Sequence, residues 1–162
     1  MVMQTGDVVF FRAEDTWISK LIAKLTKSDY THVGLALDNH RIIEANRFVD
    51  TRIVHFQYDE KIHSLYRSKE VDDTIKEKIY TKAIQYEKYP YDYLQVIRWG
   101  IRLIFGWNMS ISNRANKLIC SELIDFVFLA SGLKRKNILD IGDITPNMLI
   151  DLYDLEEVEG GK

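Results

Sequence analysis

Hydrophobic and polar residues alternate with a period of two in the segment that follows residue 30, which is typical of β-strands that bury one face. The clearest case is the segment THVGLALDNHRIIEA at residues 31–45, where two such runs flank a polar turn at 38–40. Valine and leucine occupy the odd positions of the first run, while the even positions carry His32, Gly34 and Ala36. The segment therefore predicts a hairpin that has one unusually small face.

Other parts of the pattern predict further strands and several helices. The strands are expected at 7–11, 53–56 and 62–66, and the helices at 15–27, 71–86, 118–130 and 146–152. Gly132 ends the third of these helices and Thr145-Pro146 begins the fourth, while the acidic tail at 156–162 is expected to fray. These elements predict an α+β fold in which an antiparallel sheet packs against helices. The length of 162 residues, without a repeat or a linker, predicts a single domain over residues 1–162.

Charge and hydropathy argue against several classes of partner. The 22 basic and 24 acidic residues nearly cancel, so the chain has no strong basic field that would attract a nucleic acid. The most apolar stretch, Leu94–Trp107, is interrupted by Arg98 and Arg102 and is shorter than the roughly 20 residues of a membrane span. The first residues lack both a basic segment and a long apolar run, so we expect no signal peptide and a cytoplasmic protein.

Cys120 is the single cysteine of the chain and lies in the first turn of the predicted helix at 118–130. One cysteine allows no intrachain disulfide, and a four-ligand zinc site would have to use scattered histidines and carboxylates as its other ligands. We therefore expect no metal. A helix N-terminus favours the thiolate, because the helix dipole and the unpaired N–H groups stabilise negative charge. The amides of Cys120 and Ser121 are also placed to bind the oxyanion of a tetrahedral intermediate.

The alternative for Cys120 is a small buried hydrophobic residue, which is the common fate of a free cysteine. The apolar stripe of the predicted helix runs through positions 119, 123, 126 and 130. Cys120 is one residue off this stripe, which favours a thiol that points sideways toward a cleft.

His32 is the best candidate among the four histidines for a base that serves this thiol. Its neighbours on the same strand face are glycine and alanine, and small residues let another element approach closely. His40 lies in the predicted turn, where a solvated surface position is expected. His55 and His63 are expected at exposed strand positions.

Glu44 is placed to orient the imidazole and to stabilise its charged form. If Leu37 pairs with Arg41 across the turn, Glu44 lies opposite Gly34 and diagonal to His32 on the same face. A bulge in the turn would instead direct Glu44 to solvent. The apolar context Ile-Ile-Glu-Ala favours a partly buried carboxylate with a partner.

Six short motifs follow one another along nearly the whole chain. They are GDVVFF at 6–11, SDYTHVG at 28–34, IEA at 43–45, YPYD at 89–92, ICSEL at 119–123 and TP at 145–146. Together they resemble the landmarks of the circularly permuted papain-like amidases, the YiiX-like branch of the NlpC-type cell-wall peptidase superfamily. Histidine before cysteine is the mark of the permuted branch. The sequence departs from this family at Lys88 and Tyr89, where a glycine is expected in many relatives.

The resemblance implies a permuted papain-like fold and a role for each matching residue. Cys120 would be the nucleophile, His32 the general base and Glu44 the polar third member of the site. Tyr91 would place a hydroxyl near the substrate carbonyl or the oxyanion, and its alternative role is an aromatic that packs after the long helix.

The residues and the resemblance together predict a cysteine-dependent hydrolase. It would cleave an amide bond in a peptide, or in a cell-wall-type peptide, through an acyl-thioester intermediate and without a cofactor. Two alternatives stay open. Aromatic and apolar residues with two arginines at Leu94–Trp107 are compatible with membrane contact and a lipid-directed enzyme of the lecithin:retinol acyltransferase-like type. The other alternative is a binding module without catalytic activity.

Overall fold

Six antiparallel strands and three helices make up the part of the chain that the structure, a computed structural model, describes: residues 2–12, 30–45, 50–90, 119–137 and 144–158. The strands are β1 (Val8–Arg12), β2 (Tyr30–Ala36), β3 (Arg41–Glu44), β4 (Arg52–His55), β5 (His63–Ser68) and β6 (Leu155–Glu157). The helices are α1 (Asp73–Ala83), α2 (Cys120–Ser131) and α3 (Pro146–Leu152). The strands form one sheet in the order β4-β3-β2-β1-β5-β6. The fold is therefore α+β, as the hydrophobic pattern predicts.

A hydrophobic cluster covers each face of this sheet. The larger cluster joins the sheet to the helices and includes Cys120 at the start of α2. It contains Val33, Leu35 and Ile43 from the strands and Leu123, Val127 and Leu149 from the helices. The smaller cluster, on the opposite face, contains Val9, Ala36, Ile42, Phe56 and Leu65. The odd positions of β2 thus face the helices, which is the alternation that the sequence predicts for the hairpin.

A β-bulge at the end of the β1–β2 pairing sets the position of the candidate base. Phe11 pairs with His32, but Arg12 pairs with Tyr30, so the register shifts between these two pairs. The extra residue turns Tyr30 toward the helix-covered face, where its ring lies 4.9 Å from that of Phe10. His32 is therefore at the last regular position of the β1–β2 ladder.

The helix bounds differ from the prediction where local capping decides them. Asp72 accepts a hydrogen bond from the N–H of Ile75 at 2.8 Å, which starts α1 at Asp73 rather than at residue 71. The chain tightens into a 3₁₀ turn at Ile84–Tyr86 after α1. Gly132 has φ 102° and ends α2 as predicted. The helix predicted at 15–27 lies outside the described residues. Of the described helices, none is long and apolar enough to cross a membrane.

One prediction of disorder and one prediction of exposure are wrong. Glu156 and Glu157, which were expected to fray, pair with β5, and Glu156 forms an ion pair with Lys69. His63 was expected at an exposed position but is only 6% exposed. The rings of Phe56 and Phe11 pack against it at centroid distances of 4.8 Å. Strand alternation alone does not show that a neighbouring turn folds back over a residue.

Candidate active site

The register of the β2–β3 hairpin brings Glu44 to His32. Leu35 pairs with Ile43 and Ala36 with Ile42, which is the register that the sequence predicts. The Oε2 atom of Glu44 lies 2.9 Å from Nε2 of His32. The Glu44 side chain is 6% exposed and the His32 side chain 20% exposed, so the carboxylate is buried behind an imidazole that solvent still reaches.

Gly34 makes the approach between the two strands possible. A Cβ atom built at this position would lie 2.8 Å from Cδ1 of Ile42, which is closer than a real Cβ contact. The side chain of Ile42 occupies the space that any other residue would need. The small face predicted from the sequence is therefore filled by a side chain of the partner strand.

Cys120 begins α2, and its thiol is a hydrogen-bond partner of the His32 imidazole. Since Glu44 holds Nε2, the ring nitrogen that serves the sulfur is Nδ1. The residue is only 9% exposed and belongs to the larger hydrophobic cluster. The structure thus brings together the three residues that sequence reasoning selected as nucleophile, base and orienting group.

The sulfur meets the imidazole at an open edge of β2. The β2–β3 pairing ends at Leu35, so the N–H of Val33, which faces the β3 side, has no strand partner there. This N–H donates instead to the sulfur of Cys120, as does the N–H of Ser121. Helix α2 can therefore pack on one face of the sheet while its first side chain contacts a histidine from the other face.

These contacts favour a charged thiolate–imidazolium pair. Burial lowers the pKa of His32, but hydrogen bonds and charge interactions with Cys120 and then with Glu44 outweigh it and raise the pKa to about 9. Burial raises the pKa of Cys120, but the hydrogen bond and charge of His32 and the two backbone N–H groups outweigh it and leave the pKa lowered. Both shifts stabilise the same proton arrangement.

Arg52 is a residue of the site that sequence reasoning missed. It pairs with Glu44 across β3 and β4, and its Nε and Nη2 atoms donate to Oε1 of Glu44 at 3.0 and 2.8 Å. The signal in the sequence was a basic residue directly before the strand predicted at 53–56, and the strand in fact begins at this residue. This residue could not be assigned to the site without the β3–β4 register, which the hydrophobic pattern does not fix.

The start of α2 is held by buried polar contacts. The hydroxyl of Ser121, which is 0% exposed, donates to the backbone carbonyl of Ile144. The carboxylate of Glu122 accepts a hydrogen bond from the N–H of Ile119 at 3.2 Å, which satisfies one free donor at the helix N-terminus. The hydroxyl of Ser121 is thus engaged inside the protein, and only its backbone amide is oriented toward the sulfur.

The Tyr91 prediction lies outside the described residues, but the segment that leads to it is described. Lys88 has φ 66°, a conformation that glycine adopts most easily. The N–H of Lys88 donates to the carbonyl of Thr51 at 2.6 Å, and the N–H of Thr51 donates to the carbonyl of Tyr89 at 2.8 Å. Lys88 thus occupies a left-handed position, which explains why a glycine is expected at this point.

A solved structure with a similar fold is described as metalloprotein YiiX from Escherichia coli O157:H7, a domain of unknown function. The TM-score is 0.66 at 19% sequence identity, and the match covers 98% of this chain and 97% of that chain. No family model matches the sequence, and no curated protein matches it. The likeness shows that this chain has a YiiX-like fold.

The description of that neighbour as a metalloprotein makes the donor geometry of this site relevant. In the described ranges, no group of three or more His, Cys, Asp and Glu residues is arranged to hold a metal ion. At the candidate site, the imidazole of His32 lies between the sulfur of Cys120 and the carboxylate of Glu44, with a different ring nitrogen toward each. Three donors in a row do not converge on one ion, so the arrangement fits proton transfer better than metal binding.

Proposed function

We propose that this protein is a cysteine-dependent hydrolase of the permuted papain-like type, related to the NlpC-type superfamily. Cys120 is the nucleophile, His32 the acid and base, and Glu44 the group that orients the imidazole. The observation that carries this proposal is the contact between the thiol and an imidazole whose opposite nitrogen is bonded to a buried carboxylate. Nucleophile, base and orienting group in this order are the arrangement that covalent catalysis requires.

Acylation begins from the charged pair. The thiolate of Cys120 attacks the carbonyl carbon of an amide, a C–S bond forms, and the carbonyl oxygen becomes negatively charged. The backbone amides at the start of α2 stabilise this oxyanion. The imidazolium of His32 then donates its proton to the leaving nitrogen, the C–N bond breaks, and an acyl-thioester and a neutral His32 remain.

Deacylation restores the pair. Neutral His32 removes a proton from water, and the hydroxide attacks the thioester carbonyl. The C–S bond breaks, the acid product leaves, and the thiolate stands again beside an imidazolium. Glu44 stabilises the imidazolium in both half-reactions, because its Oε2 atom accepts the hydrogen bond from Nε2. Tyr91 is proposed to lie near the substrate carbonyl.

We propose a peptide or an acyl amide as the substrate and the cytoplasm as the location. A cytoplasmic location favours small soluble amides over an intact cell wall as the substrate. Residues 94–107, on which the lipid-directed alternative depends, lie outside the described residues. The amide hydrolase therefore remains the proposal, and turnover of lipid is an outcome of its test.

The first test compares turnover of acyl-peptide amides with turnover of phospholipid vesicles, using Cys120→Ala as the blank. We expect amide turnover by the natural protein and none by the variant. Turnover of vesicles alone would move the protein to the lipid-directed class. Amide turnover that survives in Cys120→Ala would reject Cys120 as the nucleophile.

The second test needs no substrate and separates an enzyme from a binding module. The rate of alkylation of Cys120 by iodoacetamide is measured against pH in the natural protein and in His32→Gln. We expect alkylation well below the pH at which an ordinary thiol ionises, and a shift to higher pH in the variant. An ordinary thiol profile in both proteins would favour the binding module.

A further inference from the structure

Both oxygens of the Glu44 carboxylate have hydrogen-bond partners, His32 on one oxygen and Arg52 on the other. Oε2 lies 2.9 Å from Nε2 of His32, while Oε1 accepts hydrogen bonds from two nitrogens of Arg52 at 3.0 and 2.8 Å. Two N–H donors from one planar guanidinium converge on Oε1 and fix the position of this oxygen more than a single donor does. The orientation that faces His32 is therefore fixed from the opposite side.

We infer that Arg52 is a positioning residue, which holds the Glu44 carboxylate in the orientation that keeps Oε2 on Nε2 of His32. The catalytic consequence of this inference rests on the proposed function. The orientation itself does not, because it concerns the contact between Glu44 and His32.

Burial distinguishes this contact from an ordinary surface ion pair. Exposed pairs contribute little to stability because water screens both charges. Here the Arg52 side chain is 48% exposed but the Glu44 side chain only 6% exposed. A buried carboxylate needs hydrogen-bond donors on its lone pairs, and Arg52 supplies two donors to Oε1.

A second pair in the same sheet provides a matched control. Arg67 donates from Nε and Nη2 to the two oxygens of Asp7 at 2.6 and 2.8 Å, with side-chain exposures of 35% and 1%. The backbone N–H of Gln4 also donates to Asp7. Both pairs join a partly exposed arginine to a buried carboxylate, although Arg67 bonds both oxygens of Asp7 and Arg52 bonds one oxygen of Glu44. The Asp7 carboxylate is not bonded to the imidazole of the candidate site.

The charges around His32 make the sign of the effect informative. The imidazole faces Cys120 of α2 and Glu44 of β3, and Glu44 faces Arg52 of β4. If Arg52 acts by position, its removal weakens the Glu44 contact and lowers the pKa of His32. If Arg52 acts only by its positive charge, its removal raises that pKa.

The experiment is an NMR titration of the His32 ring in the natural protein, Arg52→Gln, Arg52→Lys and Arg67→Gln, with His32→Gln to assign the signal. We expect the titration midpoint to fall by about one pH unit in Arg52→Gln, which is the scale of one hydrogen bond to a charged group. Arg52→Lys keeps the charge but loses the second donor, so its midpoint falls by less. Arg67→Gln leaves the midpoint unchanged.

An unchanged or raised midpoint in Arg52→Gln would overturn the positioning role. If Arg52→Gln does not fold, as checked by circular dichroism, Arg52→Lys decides, and an unchanged midpoint there has the same meaning. In turnover of an acyl-peptide amide, Arg52→Gln is expected to lower kcat about tenfold with little change in KM.

The two proposals fail separately. Full turnover by Cys120→Ala would reject the proposed function and leave the titration result standing. An inactive Cys120→Ala together with a natural titration in Arg52→Gln would reject only the role of Arg52.

Discussion

Nε2 of His32 and Oε2 of Glu44 lie 2.9 Å apart although twelve positions of a hairpin separate the two residues. The contact is diagonal on one sheet face, and it depends on the turn that sets the register of β2 and β3. It fixes which ring nitrogen is left for Cys120. Orientation of the imidazole therefore depends on the hairpin as well as on the helix that carries the nucleophile.

Glu44→Gln tests how much the negative charge contributes beyond orientation. The amide has almost the same shape and can still accept a hydrogen bond from Nε2, but it no longer stabilises the imidazolium by charge. We expect the pKa of His32 to fall and kcat/KM for an amide substrate to fall by roughly 10- to 100-fold. Asp38→Asn, which removes an exposed carboxylate from the hairpin turn, is the control. Equal kcat/KM in both variants would show that the charge of Glu44 has no catalytic role.

The pH dependence of turnover follows from the two shifted groups. The charged pair exists above the lowered pKa of Cys120 and below the raised pKa of His32, which is about 9. We expect a bell-shaped kcat/KM profile whose alkaline limb falls near pH 9 and whose acid limb lies below the ionisation of an ordinary thiol. A profile that keeps rising beyond pH 10 would mean that a neutral histidine with a free thiolate is the active form.

Gly34 and Ile42 are predicted to be coupled in stability. A methyl group at position 34 meets Cδ1 of Ile42 at 2.8 Å, so Gly34→Ala should destabilise the protein by about 1–2 kcal/mol. Ile42→Val removes that Cδ1 atom, and the double variant should recover part of the loss. Urea unfolding of the four proteins gives the coupling. Strictly additive effects would contradict the close approach.

The hairpin and helix α2 were predictable because each depends on neighbours in the sequence, although α2 begins at Cys120 rather than at residue 118. The turn at 38–40 fixes the register that joins Glu44 to His32, and Gly132 marks the end of the helix whose first residue is Cys120. A period of two and a helix stop signal are both local features. Three residues of the candidate site could therefore be chosen before any coordinates were known.

The positions of Arg52 and His63 could not be predicted from local features of the sequence. Arg52 reaches Glu44 through the β3–β4 register, which joins two strands that the sequence pattern treats separately. His63 is buried by the ring of Phe11 from β1 and by the ring of Phe56, which follows β4. Both facts concern pairing and packing between segments, and the alternation within one strand carries no information about them.

His63 is predicted to make the fold sensitive to acid. Burial lowers its pKa below the ordinary value, and Nδ1 accepts the N–H of Asp59 at 3.0 Å, which only the unprotonated nitrogen can do. Its contribution to stability is complete above the ordinary histidine pKa, about 6.5, and is lost as the pH falls from there through the folded-state pKa.

His63→Phe removes this titration and keeps an aromatic ring. Between pH 7.5 and pH 5, we expect the Tm of the variant to fall by less than the Tm of the natural protein. This holds even if the variant is less stable at pH 7.5. His55→Phe, at an exposed position, is the control and should lose as much as the natural protein. Equal losses of Tm in all three proteins would show that protonation of His63 does not destabilise the fold.

Lys88 is predicted to be a site at which glycine stabilises the protein. A side chain at φ 66° costs roughly 1–2 kcal/mol relative to the right-handed region, and glycine does not have this cost. Part of the gain is offset by the larger entropy of glycine in the unfolded chain, so Lys88→Gly should raise the free energy of unfolding by about 0.5–1 kcal/mol. The position is exposed, and its backbone hydrogen bond to Thr51 is kept.

The same substitution within α1 provides the control. Lys78 is exposed and helical, so Lys78→Gly should lower the free energy of unfolding by about 1 kcal/mol. Urea unfolding of both variants should therefore give changes of opposite sign. A loss of stability in Lys88→Gly as large as that in Lys78→Gly would mean that the chain does not pass through a left-handed turn before Tyr89.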